Sequence, residues 1–394
     1  MKSLRILLVS AYFPPTIGGI PTLLDNLIRN MEESGVMFYL LTATSAPVKY
    51  ANCVHLELPS YAKVRSLTQT YSEVPFEDWR AHKAAIDAAV DMLARDLKGL
   101  ELDAVFAHTE TYASSLLAGR LGIPCVPVIH GVFPTEQELA HNGQHAVRHY
   151  ANIREGIANM NYHTIYVSEY AKSWWDGQRT MRQSSEIIYN PIDFELFKPR
   201  DERECQELRS RLNLPGDAKV VCYPQRPERL GVEFLFGCME KVIAQHSEVY
   251  FLVCGCDDMD KIRKFVRSET LERNLRCGHF ALSEMPLVYS MSDVTVLPAR
   301  DGFGYPAFES LACGTPIAAV RDSAFAALLC DNEGVALVNN DDANALSGAI
   351  SAALSPERAP VKKSLLSRSV HDLLDPRMVS KRYYRALQGA ISPS

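Results

Sequence analysis

The sequence predicts an α/β protein of two halves, each a mainly parallel sheet covered by helices on both faces. Three observations carry this expectation. Short apolar strands alternate with helical patterns over most of the 394 residues, and continuous apolar runs suit strands buried on both faces. The length exceeds what one ordinary core organises, at about 100 to 200 residues per domain. The βα rhythm also restarts after Arg200, where charged residues and Pro215-Gly216 precede a new strand and mark a hinge.

The elements follow in order. Arg5 to Ala11 reads as a buried strand and Phe13 to Gly19 as a loop. Ile20, Leu23, Leu24, Leu27, Ile28 and Met31 then recur at helical spacing, with Pro21 suited to the first turn. Val36 to Thr42 completes a βαβ unit. Further strands are expected at Ala104 to Ala107, Cys125 to Ile129 and His163 to Val167, and a helix within Phe76 to Leu97. The stretch from Ser45 to Arg80 has little periodicity and reads as an insertion that shapes a pocket. In the second half, strands at Lys219 to Tyr223 and Val249 to Cys254 alternate with helices at Val232 to Gln245 and Lys261 to Arg267, and the segment after Arg276 continues the rhythm. The expected domains are 1–198 and 199–372. Residues 373–394, with Val379, Tyr383 and Tyr384, form a terminal helix expected to pack back toward the first domain.

Composition narrows the function. Hydrophobic residues at 47% and charged ones at 22% describe a globular chain rather than a disordered one. A net charge of -6 leaves no broad electrostatic footprint for nucleic acid or an anionic bilayer. The ten cysteines include no CxxC pair, and several sit in apolar runs, so they read as buried thiols of a reducing cytosol. Cys254-Gly255-Cys256 reads as a strand end followed by a glycine turn. No run of 18 apolar residues is present, and Lys2 and Arg5 before an apolar stretch imitate a secretion signal without its cleavage site. A cytoplasmic protein is expected, with peripheral contact at the inner face of a membrane left open.

The densest chemical signal runs from Val294 to Val320. A strand to Leu297 leads into the glycine loop Arg300-Asp301-Gly302-Phe303-Gly304, Pro306 opens a short helix, and Gly314 with Pro316 ends it. Such a loop, between a strand's carboxyl end and a helix start, lies where open α/β sheets bind ligands. Glycines admit close backbone approach, and the helix start offers unpaired N–H groups and a positive dipole end to a diphosphate. Glu309, about one turn in, could accept two neighbouring ribose hydroxyls. Asp301 could meet an attached sugar. The alternative is a helix-flanking charge and a solvated helix glutamate.

The run Asp301-Gly-Phe-Gly-Tyr-Pro-Ala-Phe-Glu309-Ser-Leu-Ala-Cys-Gly-Thr-Pro316 closely resembles the acidic motif of the retaining glycosyltransferases of family 4, with aspartate where the family pattern has its first glutamate. The resemblance extends over nearly the whole chain. It implies the GT-B fold, two Rossmann-like domains facing each other across a deep cleft, with the acceptor on the first and the nucleotide sugar on the second. Tyr12-Phe13-Pro14-Pro15 with Gly18-Gly19 is similar to the family's amino-terminal loop, which leans toward the donor phosphate; a plain tight turn is the alternative. Ile129-His130-Gly131 is similar to the strand-end histidine that contacts the transferred sugar, although taken alone His130 also fits a satisfied core histidine. Tyr166-Val167-Ser168-Glu169 and Ile188-Tyr189-Asn190-Pro191-Ile192-Asp193 mark the register.

Where the family has an arginine and then a lysine before a glycine, this chain reads Pro224-Gln225-Arg226-Pro227-Glu228-Arg229-Leu230-Gly231. Arg226 and Arg229 are the substitutes, since guanidinium holds phosphate bidentately; solvated loop arginines are the alternative. Leu297-Pro298 and Gly255 complete the nucleotide side.

The resemblance therefore implies transfer of a sugar from a nucleoside-diphosphate carrier, UDP or GDP, to an acceptor hydroxyl with retained configuration and without metal or other cofactor. His130, Asp301 and Glu309 would be catalytic. Gly18, Gly19, Arg226, Arg229, Gly302, Phe303, Gly304, Tyr305 and Glu309 would bind the donor. The acceptor class stays open among glycan, lipid, metabolite and protein. Asp258-Met259-Asp260 has the spacing of a metal-binding DxD motif but reads as the acidic cap of a helix. Walker, GxGxxG and GxSxG signatures are absent from the sequence. Two other classes remain: an inactive nucleotide-sugar-binding subunit, and an epimerase or phosphorylase on the same fold.

Overall fold

The computed structural model describes residues 3–16, 18–45, 49–69, 78–131, 163–177, 184–225, 232–299, 302–340, 342–355 and 364–392. The chain forms two compact units, Met1–Pro191 with Pro376–Ser394, and Ile192–Asp375.

In the first unit, seven parallel strands run β1 (Leu4–Ser10), β2 (Val36–Thr42), β3 (Cys53–His55), β4 (Ala104–Ala107), β5 (Cys125–Ile129), β6 (Thr164–Tyr166) and β7 (Ser185–Ile187), in spatial order β3-β2-β1-β4-β5-β6-β7. Order reverses between β1 and β4, which pair from Ile6↔Ala104 to Val9↔Ala107. This is a doubly wound Rossmann-like sheet. Ile6, Leu7, Leu8, Val105 and Val126 are fully buried, as expected for strands covered on both faces. Helix α1 (Gly19–Asn30) turns Leu23, Leu24, Leu27 and Ile28 inward. The helices that follow are α2 (Pro59–Gln69), α3 (Trp79–Asp96), α4 (Thr111–Leu121) and α5 (Glu169–Gly177). The Ser168 hydroxyl caps α5 by accepting from the Ala171 N–H at 3.1 Å.

The stretch 45–80 differs from expectation. It carries β3, which extends the sheet edge, and α2, which buries Tyr61 and Val64. Three strand residues and so few inward side chains leave almost no periodic trace.

The second unit has the order β10-β11-β9-β8-β12-β13-β14. Its strands are β8 (Lys219–Tyr223), β9 (Val249–Val253), β10 (Gly255–Cys256), β11 (Leu275–His279), β12 (Val294–Leu297), β13 (Ile317–Val320) and β14 (Val335–Val338). All pairs are parallel except β10 with β11. Helix α6 (Glu202–Arg211) was not expected; it is mostly charged and buries only Cys205 and Leu208, with Asp201 capping it through the Glu204 N–H. Such a cap satisfies one of the unpaired N–H groups of the first turn. Helix α7 (Val232–Gln245) lies between β8 and β9, as read from the sequence. The helix expected at 261–267 is instead α8 (Met259–Arg263), started by Asp258, whose side chain accepts from the Asp260 N–H. Arg263 binds Asp260 and lies 2.8 Å from Glu272. The DxD-like acids are thus a cap and an ion pair.

Helices α9 (Glu269–Arg273), α10 (Met285–Met291), α11 (Tyr305–Ala312), α12 (Ala326–Leu329), α13 (Ala343–Ala353) and α14 (Arg368–Leu374) complete this unit. The terminal helix α15 (Pro376–Ile391) belongs to the first unit, where it packs on α1, β4 and β5. Tyr383 is fully buried beneath it, 5.8 Å from the Phe106 ring, and Arg382 donates to the Ile187 carbonyl. All ten thiols are free, but the reading of them as buried needs correction: Cys330 is exposed and Cys53 and Cys277 are half-buried. No helix among the described residues is long and apolar enough to cross a membrane.

Candidate functional site

In the second unit the strand order reverses between β8 and β12, neighbours that pair Val294↔Val221 and Thr295↔Cys222. Ligand crevices of doubly wound sheets open at the carboxyl ends of such a strand pair. In sequence, Arg226 and Arg229 follow Tyr223, and Asp301 follows Leu297. These three residues lie outside the described ones, but the strands they follow are adjacent.

The described chain resumes at Gly302. Phe303 is buried, stacked 4.9 Å from Phe308 and edge-on to Tyr305 at 5.0 Å. Gly304 caps α11 with a left-handed φ of 85°. A Cβ there would lie 2.3 Å from Cδ1 of Phe325, itself buried. Only glycine fits both the backbone and the space. The far end of α11 is held by Gly314 at φ 85°, with Gly314 N–H donating to Leu311 and Thr315 N–H to Ser310. This double closure satisfies the last carbonyls. The Thr315 hydroxyl bonds the Tyr289 carbonyl at 2.6 Å, tying α11 to α10.

Glu309 is not a solvated helix glutamate, for it is 6% exposed. Its Oε2 accepts the Tyr289 hydroxyl at 3.0 Å. Burial, with Glu309 next, raises the Tyr289 phenol well above its ordinary range, so it stays a donor. Tyr289 was missed in the sequence. Its position in an apolar helix twenty residues upstream gives no sign of a polar contact.

In the first unit, the reversal between β1 and β4 brings the ends of β1, β4 and β5 side by side. Gly18 caps α1 and Gly19 is its first residue. The Ala11 N–H donates to the Thr109 hydroxyl at 2.7 Å, joining the loops after β1 and β4. His130 follows β5 and His108 follows β4, with His130 Nε2 3.0 Å from His108 Nδ1. Burial lowers His130 to about 3, and burial with the neighbouring His130 lowers His108 well below its ordinary value. His108 was also missed, although it stands at the same strand-end position as His130, one strand over. Beside it Glu110 has a left-handed φ of 45°. Burial raises its carboxyl, against the Thr109 hydroxyl and the Arg65 guanidinium, which act the other way. Tyr61 faces the same carboxyl, outside good hydrogen-bond geometry.

The histidines make stability depend on pH with a defined sign. Their folded values lie below the unfolded value near 6.5, so the unfolded chain binds more protons below that pH and stability falls with acid. Each group contributes a slope of at most about 1.4 kcal/mol per pH unit, for His130 between about 6.5 and about 3. Urea midpoints should therefore fall from pH 6.5 to 5, and His130→Phe should flatten the decline. An equal decline in the variant would contradict the shift.

A cavity of about 640 Å³ lies at the opposite, amino-terminal edge of the second sheet, lined by Arg209, Lys219, Asp293 and Thr315 among others. Three of its charges serve structure. Asp293 pairs with Arg209 at 3.4 Å and Lys219 at 3.2 Å and accepts the Val220 N–H.

Two sheets of this construction make a protein of two Rossmann-like units, the GT-B fold of the solved glycosyltransferases it resembles. Residues 17–196 match the family model for glycosyltransferase family 4 and residues 205–364 that for glycosyl transferases group 1. The chain belongs to the group 1 glycosyltransferases of the family 4 type. A D-inositol 3-phosphate glycosyltransferase of Corynebacterium jeikeium is 21% identical, covering 81% of this chain and 80% of that one. A glycosyltransferase of Rickettsia africae has a similar solved structure, with TM-score 0.76, 14% identity and full coverage of both chains. Anabaena HepE, solved with UDP and glucose, gives TM-score 0.71 at 16% identity over 98% of this chain and 100% of its own.

Proposed function

We propose that the protein is a cytoplasmic retaining glycosyltransferase that moves a sugar from UDP or GDP to an acceptor hydroxyl without a metal ion. The observation that carries this reading is the pair of adjacent strands β8 and β12 in the second unit, the first followed in sequence by Arg226 and Arg229 and the second by Asp301 and the start of α11. The diphosphate binds the N–H groups at the amino end of α11, with Gly302, Phe303, Gly304 and Tyr305 forming the approach. Glu309 accepts from the ribose hydroxyls, its carboxylate aligned by Tyr289.

As the glycosidic bond to phosphate breaks, negative charge grows on the leaving diphosphate. The helix start and both guanidiniums stabilise that charge in place of a cation. Asp301 and His130 orient the sugar, and Gly18 and Gly19 offer backbone N–H groups to the phosphate. The acceptor binds on the first unit. Tyr61, Arg65 and the left-handed Glu110 support this, since a strained non-glycine backbone at a half-buried carboxyl is typical of ligand-binding positions. The loop at 133–144, an acceptor candidate by sequence, lies outside the described residues. HepE was solved with UDP-glucose, and relatives bear the name D-inositol 3-phosphate glycosyltransferase. UDP-glucose with D-inositol 3-phosphate is therefore the first pair to test.

The test is turnover of UDP- and GDP-sugars with that acceptor in the presence of a chelator, read by the anomeric proton of the product. An α-linked product from an α-linked donor at undiminished rate is expected. An inverted product, a chelator-dependent rate, or release of free sugar alone would contradict the reading.

A further inference from the structure

The two strand-end histidines of the first unit allow a further assignment, which rests on the reading of His130 as a sugar-contacting group. They follow parallel neighbours, β4 and β5. Their rings tilt by 31° with centroids 5.1 Å apart, and the facing nitrogens are 3.0 Å apart. Two neutral imidazoles joined in this way share a single proton, so one donates and the other accepts.

The surroundings decide the direction. If His130 donated from Nε2, the proton of His108 would sit on its own Nε2, which is buried without a partner among the described residues. If His108 donates from Nδ1, that buried Nε2 carries only a lone pair. A buried N–H without an acceptor is rarer and costlier than an unfilled lone pair, so the second arrangement wins.

We infer that His108 is a positioning residue, donating through Nδ1 to His130 Nε2 and so holding His130 as the Nδ1–H tautomer, whose remaining N–H serves a hydroxyl or ring oxygen of the transferred sugar. The packing supports a fixed donor. The His108 backbone N–H bonds the Val9 carbonyl at 2.9 Å, and the Phe106 ring meets the imidazole edge-on at 4.4 Å. Burial keeps both rings neutral at physiological pH, so the one-proton bond persists there. A histidine side chain free in water prefers the opposite tautomer, Nε2–H, and the neighbour therefore reverses an intrinsic preference.

The test is nitrogen-15 NMR of the full chain with labelled histidine and no ligand, the His130 signals being assigned by their loss in His130→Phe. Native protein should show His130 protonated on Nδ1. His108→Phe, which retains an aromatic ring against Phe106, should switch it to Nε2–H. His108→Asn, whose amide N–H can replace the Nδ1 donor, should restore the native pattern, and it provides the comparison with native protein if the phenylalanine variant fails to fold. Nε2–H in the native protein, or a native pattern surviving in His108→Phe, would overturn the assignment. In turnover, His108→Phe should lower kcat about ten- to a hundredfold with the donor KM within about twofold, and His108→Asn should recover most of it. A switched tautomer with unchanged kcat would overturn the sugar contact of His130 and leave the assignment of the proton standing.

Discussion

Glu309→Gln should lower kcat/KM for the donor by about a hundred- to a thousandfold, with little change in folding. The carboxylate is proposed to accept two ribose hydroxyls. Hydrogen bonds to a charged group contribute about 1.5–3 kcal/mol each, so weakening both corresponds to that range at 1.4 kcal/mol per tenfold. Glutamine preserves volume and still offers an oxygen to the Tyr289 hydroxyl, now 3.0 Å from the carboxylate. Alanine would be a poorer probe, because it strands a buried phenol and costs stability of its own, about 1–3 kcal/mol. Steady-state kinetics with a 2′-deoxy donor refine the test, since the penalty should shrink when one recognised hydroxyl is missing. An effect below about threefold with the normal donor would remove Glu309 from the site.

Gly304→Ala should destabilise the protein by about 2–6 kcal/mol and abolish measurable nucleotide binding. Two causes act together. The residue holds φ 85°, and its new methyl carbon would lie 2.3 Å from the Phe325 ring. Phe325 is buried and cannot swing aside freely, so the loop must shift, with overpacking and backbone strain each costing about 1–3 kcal/mol. Gly237→Ala in the same unit is the control. That helical glycine is exposed with open space around it, and alanine there should stabilise by about 0.5–1 kcal/mol. Urea denaturation and UDP titration of both variants measure the contrast. Equal stabilities would contradict the steric account.

Much of this architecture is legible in the sequence because buried parallel strands are short, apolar and bounded by turns. The strands Val36–Thr42, Ala104–Ala107, Cys125–Ile129, Lys219–Tyr223 and Val294–Leu297 have the limits their residues suggest. Helix Glu202–Arg211 is invisible for the opposite reason: two buried side chains among eight charged or polar ones give no stripe. The glycine loop and Glu309 could be located because backbone freedom, helix start and carboxylate are consecutive in sequence. His108 and Tyr289 could not. Their partners lie 22 and 20 residues away, brought together by strand order and helix packing rather than by any local pattern.

The most direct measurement is a crystal structure of the full chain with a nucleoside diphosphate bound. The diphosphate should lie against the backbone N–H groups at the amino end of Tyr305–Ala312, with ribose hydroxyls within hydrogen-bond distance of Glu309. A nucleotide seated instead in the cavity beside Arg209 and Asp293, or one whose ribose leaves Glu309 untouched, would contradict the account.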